Sequence, residues 1–199
     1  MGAAQKRFDA LVAAIAGGRA DIVGRTLSAD RELASLRSDE ERFVDEASHQ
    51  LYSGDTALHM AAAGFQSAIA KLLIASGADI RARNRRGAEP LHYAADANHW
   101  APAAQRETIE YLLSTGADPN ALDNSGVAPL HRAVRTRSSE AVAALLHGGA
   151  DVGLKNKRGS TPMYLAVRNT GRGGSGSERA KEEQRKILAL LLAAGAETP

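Results

Sequence analysis

The sequence contains no cysteine, and only 4% of its 199 residues are aromatic. A chain without cysteine has no disulfide, no cysteine-ligated zinc and no thiol nucleophile. No apolar run approaches the roughly 18 residues that a membrane-spanning helix requires. Few aromatic rings are expected where short helices pack in thin layers, and the chain is long enough for one extended array with a continuous core. We therefore predict a protein with neither a membrane segment nor cysteine chemistry.

One segment recurs four times along the sequence. Its copies open on Gly54, Gly87, Gly126 and Gly159, so successive copies begin 33, 39 and 33 residues apart and the period is 33 with one insertion of six. Two positions after these glycines come Thr-Ala-Leu-His, Glu-Pro-Leu-His, Ala-Pro-Leu-His and Thr-Pro-Met-Tyr. Every copy ends with an aliphatic pair before Gly-Ala-Asp or Gly-Ala-Glu, in the closing segments 73–79, 112–118, 145–151 and 191–197.

The residues at fixed places in each copy predict two helices. Pro90, Pro129 and Pro162 stand where the first helix begins, a position that needs no N–H group and suits the fixed φ of proline. Thr56 and Thr161 occupy the capping position, where a hydroxyl group accepts from a helix N–H or reaches a neighbouring histidine. A glycine suited to the left-handed region follows each second helix, at positions 77, 116, 149 and 195. Each copy is turn, helix, loop and helix, and the copies must stack because one copy alone cannot bury its apolar stripe.

The period and the Thr-Pro-Leu-His core resemble those of the ankyrin repeat. The resemblance covers residues 54–197 and rests on four copies in register. It implies an all-α solenoid of stacked helix-turn-helix units with β-turn or hairpin connections. We divide this part of the chain into four repeats, 54–86, 87–125, 126–158 and 159–199, with insertions near 98–106 and 170–182.

Residues 1–53 are predicted to form a degenerate N-terminal capping repeat with an acidic extended connection. Apolar residues from Phe8 to Ile15 lie on one helical face, and Gly17 ends this helix before a second one begins. The Pro-Leu-His core is missing here, as expected for a terminal copy whose outer face meets water.

The acidic connection spans residues 37–53. Ser38 or Asp39 is expected to cap a short helix that carries Phe43, Val44 and Ala47. We predict that this helix is solvated and lies over the first layer.

The insertion at 98–106 carries Trp100, the single tryptophan of the sequence. Two interpretations remain open. The indole either folds the loop onto the stack or stands exposed as an anchor for a partner.

The insertion of the last repeat contains Gly171-Arg-Gly-Gly-Ser-Gly176, which matches the dinucleotide pattern G-x-G-x-x-G. That pattern requires a preceding strand, whereas the residues before it are predicted to be helical. As a phosphate loop it has Ser177 in place of the lysine, followed by the repelling Glu178. We interpret the segment as a flexible linker capped by Ser175 or Ser177, with a nucleotide site as the alternative, and we predict no cofactor.

Three histidines, His59, His92 and His131, occupy the same position in successive repeats. Layers of helices lie roughly 10 Å apart, whereas a zinc ion needs ligand nitrogens at about 2.0 to 2.1 Å. We therefore predict that these side chains bond turn backbone rather than a metal. No nucleophile or carboxylate pair stands in a catalytic pattern, so we predict that the protein is not an enzyme and has no catalytic residue.

Charge is unevenly distributed along the chain. Residues 21–55 hold nine acidic residues and four arginines, whereas residues 56–199 hold thirteen acidic residues and eighteen lysines and arginines. The basic residues gather in the turns between copies and at the ends of first helices. This arrangement favours an anionic partner, although turn residues are often hydrophilic for solvation alone.

In the ankyrin family, partners usually bind in the groove between the turn tips and the first helices. By resemblance, the predicted partner contacts are Arg85, Arg86, Asp96, Trp100, Asn124, Ser125, Arg135, Lys157, Arg158 and Arg168. We predict a non-enzymatic protein–protein interaction module that binds an acidic protein surface. The alternative is a polyanion or nucleic acid bound by the same turns. Asp96 and Asp123 within the basic surface, and the lack of interleaved aromatic residues, weigh against nucleic acid.

The N-terminal segment faintly resembles a signal peptide, with Lys6 and Arg7 ahead of a short apolar stretch. Asp9 precedes that stretch, and the segment continues as a helix pair. We predict a cytoplasmic monomer, or a periplasmic or secreted protein if a signal was removed before residue 1.

Overall fold

The structure is a computed structural model that describes residues 2–44, 49–96, 101–168 and 177–198. These residues form ten α-helices, one short 3-10 helix (Arg31–Ala34) and one hairpin of the strands β1 (Arg42–Val44) and β2 (His49–Leu51). The α-helices are α1 (Ala3–Ala16), α2 (Ala20–Ala29), α3 (Ala57–Ala63), α4 (Ser67–Ala75), α5 (Pro90–Ala94), α6 (Pro102–Ser114), α7 (Pro129–Thr136), α8 (Ser139–His147), α9 (Pro162–Val167) and α10 (Glu178–Ala193).

The helices form two rows. The odd-numbered helices pack in sequence, α1 on α3, α3 on α5, α5 on α7 and α7 on α9. The even-numbered helices pack in the same order, and each odd-numbered helix also packs on the even-numbered helix that follows it. Neighbouring helix pairs thus form successive layers, and the predicted all-α solenoid is confirmed.

The two rows differ in the side chains that they bury. The first helices are short and carry alanine at the layer interfaces, where Ala61, Ala62, Ala94 and Ala95 are fully buried. Small side chains allow these helices to approach one another closely. The second helices fill the layer behind with fully buried leucines, Leu73, Leu112, Leu145 and Leu191.

The predicted helix starts are confirmed where the structure describes them. Pro90, Pro129 and Pro162 each begin a first helix. The Thr161 hydroxyl group accepts a hydrogen bond from the Tyr164 amide, and the Ser177 hydroxyl group accepts one from Ala180. The four glycines after the second helices have φ between 87° and 105°, as predicted.

The acidic connection is not the solvated helix that the sequence predicts. Arg42 to Val44 pair with His49 to Leu51 in an antiparallel hairpin, with Phe43 opposite Gln50. The alternation of a strand buries Val44 and Leu51 and leaves Phe43 57% exposed, whereas a solvated helix would leave Val44 in water. The prediction of a helix with Phe43 and Val44 on it is therefore wrong. Ala47 lies outside the described residues.

Both insertions contribute residues to a second helix. Helix α6 begins at Pro102, so residues 102–106 lengthen a second helix instead of a loop. Helix α10 similarly starts at Glu178 and takes in the end of the 170–182 insertion. Trp100 and the glycine-rich segment Gly171–Gly176, with Ser175, lie outside the described residues.

Candidate partner-binding groove

Each turn between repeats is closed by the side chain of one residue. Asn84, Asp123 and Asn156 occupy equivalent positions. The Oδ1 atom of each accepts hydrogen bonds from the backbone amides two and four residues later in the chain, at 2.8 to 3.1 Å. These short side chains mimic a backbone turn. The turns are therefore held in one conformation before any partner is present.

Successive turn tips are joined by backbone hydrogen bonds. The Arg85 amide donates to the Ser53 carbonyl at 2.9 Å, the Asn124 amide to the Arg86 carbonyl at 2.9 Å, and the Lys157 amide to the Ser125 carbonyl at 3.0 Å. These bonds recur at the same place in each repeat. We call the joined tips, residues 53, 85–86, 124–125 and 157–158, the turn row.

The three equivalent histidines join each first helix to two turns. In His59, His92 and His131, Nδ1 accepts from the amide three residues earlier, at 3.1 to 3.2 Å. The Nε2 atom lies 3.0 to 3.1 Å from a carbonyl oxygen of the next turn, so Nε2 carries the proton. The prediction that these rings bond turn backbone is confirmed.

The ring of His92 is neutral because burial disfavours its charged form. Burial, and then the nearby Arg132, lower the pKa of His92 to about 3. Burial likewise lowers the pKa values of His59 and His131. A neutral ring is what the arrangement needs, because Nδ1 can accept a hydrogen bond only when it is unprotonated.

Beside the turn row lies a surface formed by Tyr93 of α5, by Asp96 after α5, and by Arg132 and Arg135 of α7. We call it the concave wall because it lines a pocket. Arg135 Nη2 donates to Asp96 Oδ2 at 3.1 Å, and Arg132 lies between Asp96 and Asp123, with Nη2 3.0 Å from Asp123 Oδ2. Burial alone would raise the pKa of Asp123, but hydrogen bonds from the Val127 and Ser125 amides and from Arg132 outweigh it and lower the pKa. Two of the predicted contacts, Asp96 and Arg135, are thus brought together across two repeats.

The β1–β2 hairpin lies against this wall. The His49 ring packs on the Tyr93 ring of α5, with centroids 5.0 Å apart. Arg42 Nη2 lies 2.7 Å from Asp9 Oδ1 on α1, and Glu41 forms an ion pair with Arg85 in the next turn. Burial lowers the pKa of His49 despite the nearby carboxylates of Asp55 and Asp96. The hairpin is therefore fastened to three separate elements of the stack.

A pocket of about 360 Å³ lies between the hairpin and the concave wall. Phe43, Gln50 and Tyr52 line it from the hairpin side, and Tyr93, Arg132 and Arg135 line it from the wall. Arg86 and Ser125 close it at the turn row. We call this space the hairpin pocket.

The other predicted contacts lie further along the molecule. Lys157 and Arg158 are exposed at the last turn, and neither side chain has an ion pair with a described residue. Arg168, after α9, places its guanidinium 4.6 Å from the centroid of the Tyr164 ring. The predicted contact Trp100 lies outside the described residues, so its two interpretations stay open.

Sequence reasoning missed the residues that the hairpin contributes and Tyr93 of α5, on which the hairpin packs. Phe43 was assigned to a helix, and His49, Tyr52 and Tyr93 were given no role at the site. The sequence carries only a weak signal for strands here, since Phe43, Val44 and Tyr52 are residue types that favour them.

Stacked helix pairs and a row of hydrogen-bonded turns define a helical-repeat protein. The sequence matches the family described as ankyrin repeats (3 copies) over residues 10–120 and 100–198. The chain belongs to the ankyrin-repeat family. Repeats of this family are generally protein–protein interaction modules, and its members are typically non-enzymatic.

No curated protein matches the sequence. Among residues 2–44, 49–96, 101–168 and 177–198, no helix is both long and apolar enough to cross a membrane.

Proposed function

We propose that this protein binds a partner protein through the turn row and the concave wall, and that the surface it recognises is acidic. The protein acts by binding and catalyses no reaction. The observation that carries this proposal is the turn row itself. Its hydrogen-bonded tips present Arg85, Arg86, Lys157 and Arg158 from one rigid edge.

Rigidity supports binding because the entropy of ordering these loops is already spent on folding. The turn side chains of Asn84, Asp123 and Asn156 and the bonds between tips hold the backbone in place. The long arginine and lysine side chains remain exposed and adaptable. A partner therefore meets positive side chains that project from backbone positions with a fixed spacing.

The chain itself supplies an example of the recognition that we propose. Arg85 already pairs with a carboxylate, that of Glu41 on the hairpin. Arg81 similarly pairs with Asp118, at 3.0 Å. Carboxylates from a partner are the matching ligands for the tips that carry no such pair, Lys157 and Arg158.

Charge reversal tests the proposal. The test variant carries Arg85→Glu, Arg86→Glu, Lys157→Glu and Arg158→Glu. The matched control carries Arg25→Glu, Lys71→Glu, Arg106→Glu and Lys181→Glu, which change the net charge equally on exposed positions of the even-numbered helices. Circular dichroism and thermal unfolding establish that both variants are folded.

Affinity capture from the native lysate, with and without nuclease, then compares the three proteins. A discrete protein held by the wild type and the control, but lost from the test variant, is the expected result. Capture that survives the turn reversal overturns the assignment of the groove. Capture that disappears with nuclease instead identifies nucleic acid as the ligand.

A further inference from the structure

We propose that the hairpin pocket receives a carboxylate side chain from an acidic segment of the partner, while a neighbouring apolar side chain of that segment packs on Phe43. This inference rests on the proposed function and names the chemistry of one subsite within it. It also gives the hairpin a role of its own, as one wall of the binding surface.

The pocket exists because the first turn is longer than the others. Ser53 stands in the turn row at the position that Arg86 and Ser125 hold in later turns, and the hairpin extends from this first turn. Packing of His49 on Tyr93 directs the hairpin across the concave wall. The later turns carry no such extension, so a partner meets this pocket at one end of the groove.

The charges in the pocket favour an anion. Arg132 is balanced by Asp123 and Asp96, but Asp96 is shared with Arg135. Three arginines and two aspartates line the space, so one positive charge is left over. In a site partly shielded from water, this excess attracts a carboxylate more strongly than at a fully solvated surface.

Two of these arginines still have donors to offer. Only the Nη2 atom of Arg135 hydrogen-bonds to a described residue. The guanidinium of Arg86 stacks on the Tyr52 ring, 4.8 Å from its centroid, and makes no hydrogen bond to any part of the chain that the structure describes. A planar guanidinium held by stacking presents its N–H fork in a fixed direction, which suits a carboxylate.

The apolar part of the proposed ligand follows from Phe43. Its side chain is 57% exposed although it lines the pocket, and the neighbouring wall includes the rings of Tyr52 and Tyr93. Exposed aromatic side chains beside arginines are typical of the residues that anchor a partner. At about 360 Å³ the pocket is near the lower end of the range for ligand sites, about 300 to 1,000 Å³, and so fits a side chain or two.

Titration with defined peptides tests the inference. The probe is a capped pentapeptide of four glutamates around one central leucine, and its matched control has glutamine in place of each glutamate. Backbone amide NMR spectra of the full-length protein report binding residue by residue. We expect the glutamate peptide to shift the amides of Ser125, Val127 and Phe43 saturably, and the glutamine peptide to leave them unchanged.

Three variants locate the contact. Arg135→Gln removes one charged donor, and Phe43→Ser removes the apolar contact, so each should weaken the glutamate peptide about tenfold. Arg25→Gln, on α2 and 73% exposed, should leave the dissociation constant unchanged. Any of three results overturns the inference. The first is that the glutamate peptide binds with the same dissociation constant to Arg135→Gln and Phe43→Ser as to the wild type, the second that the glutamine peptide binds equally well, and the third that neither peptide causes saturable shifts.

The same variants separate this inference from the proposed function. If the captured partner is lost on reversal of the turn row but retained by Arg135→Gln and Phe43→Ser, the proposed function stands and the hairpin pocket is not its subsite. If reversal of the turn row has no effect either, both fail.

Discussion

The hydroxyl group of Tyr93 on α5 donates a hydrogen bond to the carboxylate of Asp55, which precedes α3 by two residues, at 2.8 Å to Oδ2. Asn84 Nδ2 donates to the same carboxylate at 2.8 Å, and all three side chains are buried. Burial and the Asp55 carboxylate raise the pKa of Tyr93, so the hydroxyl group keeps its proton. This network joins the long first turn to α5, in the third layer.

Replacing Tyr93 by phenylalanine should destabilise the protein. The variant leaves the fully buried Asp55 carboxylate without one of its donors, which typically costs about 1–3 kcal/mol. Urea unfolding measures the change in the free energy of unfolding. Tyr111→Phe is the control, because the Tyr111 hydroxyl group donates no hydrogen bond to a described residue, and it should change stability by no more than about 0.5 kcal/mol. Equal losses in the two variants would contradict the role of the network.

Two glycine substitutions should separate backbone strain from the packing of turns. Gly126 and Gly159 have nearly equal φ, 70° and 74°, so alanine is strained at both, by about 1–2 kcal/mol. A methyl group at Gly126 would also lie 2.9 Å from the Lys157 amide nitrogen, whereas at Gly159 it would meet nothing within 4 Å. Gly126→Ala should therefore reduce the free energy of unfolding more than Gly159→Ala does. If urea unfolding gives the same free energy of unfolding for both variants, the contact between the turns at Gly126 and Lys157 adds nothing to the strain.

The buried carboxyl group of Glu89 should make the free energy of unfolding decrease as the pH rises. It is 2% exposed, and burial raises the pKa of its carboxyl group although Arg81 lies 3.9 Å away. A raised pKa means that the folded state holds the proton more tightly than the unfolded chain. The contribution of the carboxyl group is fully present below its unfolded pKa, about 4.3, and is lost as the pH rises through the folded value.

Glu89→Gln removes this titration. The stability of the variant relative to the wild type should therefore increase with pH above about 4.3 and then level off. Urea unfolding of both proteins from acidic to neutral pH measures the trend. A difference that stays constant with pH would show that Glu89 does not titrate as its burial implies.

The histidines should have the opposite effect on acid stability. The folded pKa of His92 is about 3, whereas an unperturbed histidine has a pKa of about 6.5. Between these values the unfolded state binds more protons, so the stability that comes from His92 is complete above about pH 6.5 and falls as the pH drops toward 3. The slope approaches about 1.4 kcal/mol per pH unit for one proton.

His92→Gln should reduce that slope by up to about 1.4 kcal/mol per pH unit. The slope is the informative quantity, because loss of the hydrogen bond to the Val127 carbonyl lowers stability at every pH. Unfolding curves collected between pH 4 and pH 6.5 give the slopes. An unchanged slope would mean that the His92 ring is protonated in the folded state.

Much of this fold is specified by short, repeated sequence signals, and the sequence alone therefore predicts it. Proline at the first helical position and glycine after the second helix each act within a few residues of themselves. The histidine also accepts a hydrogen bond within its own turn, although its second ring nitrogen bonds the turn of the next repeat. Four copies in register make such weak local signals decisive. The equivalence of Arg86, Ser125 and Arg158 follows from that register alone.

The hairpin could not be predicted from local signals in the same way, because contacts between residues distant in sequence determine it. An acidic stretch with Phe43 and Val44 suits a solvated helix as well as a strand. The packing of His49 on Tyr93 decides between them, and those residues belong to different repeats. Likewise, the resemblance to ankyrin repeats predicted Arg135 and Asp96 as partner contacts but did not predict that they pair with one another. Side-chain direction, which a linear pattern does not fix, brings Arg135 onto Asp96.

The bridging histidines all point the same way. Each ring accepts from its own turn and donates to the turn that follows, so each of the three repeats that carry the histidine offers a donor on its C-terminal side. The turn at the start of the next repeat supplies the carbonyl acceptor. A unit such as residues 126–158, copied in register beside itself, would find a complementary partner at both junctions. The bonding pattern therefore permits the array to lengthen by whole duplications of 33 residues without redesign of either neighbour, whereas a reversed unit would set donor against donor.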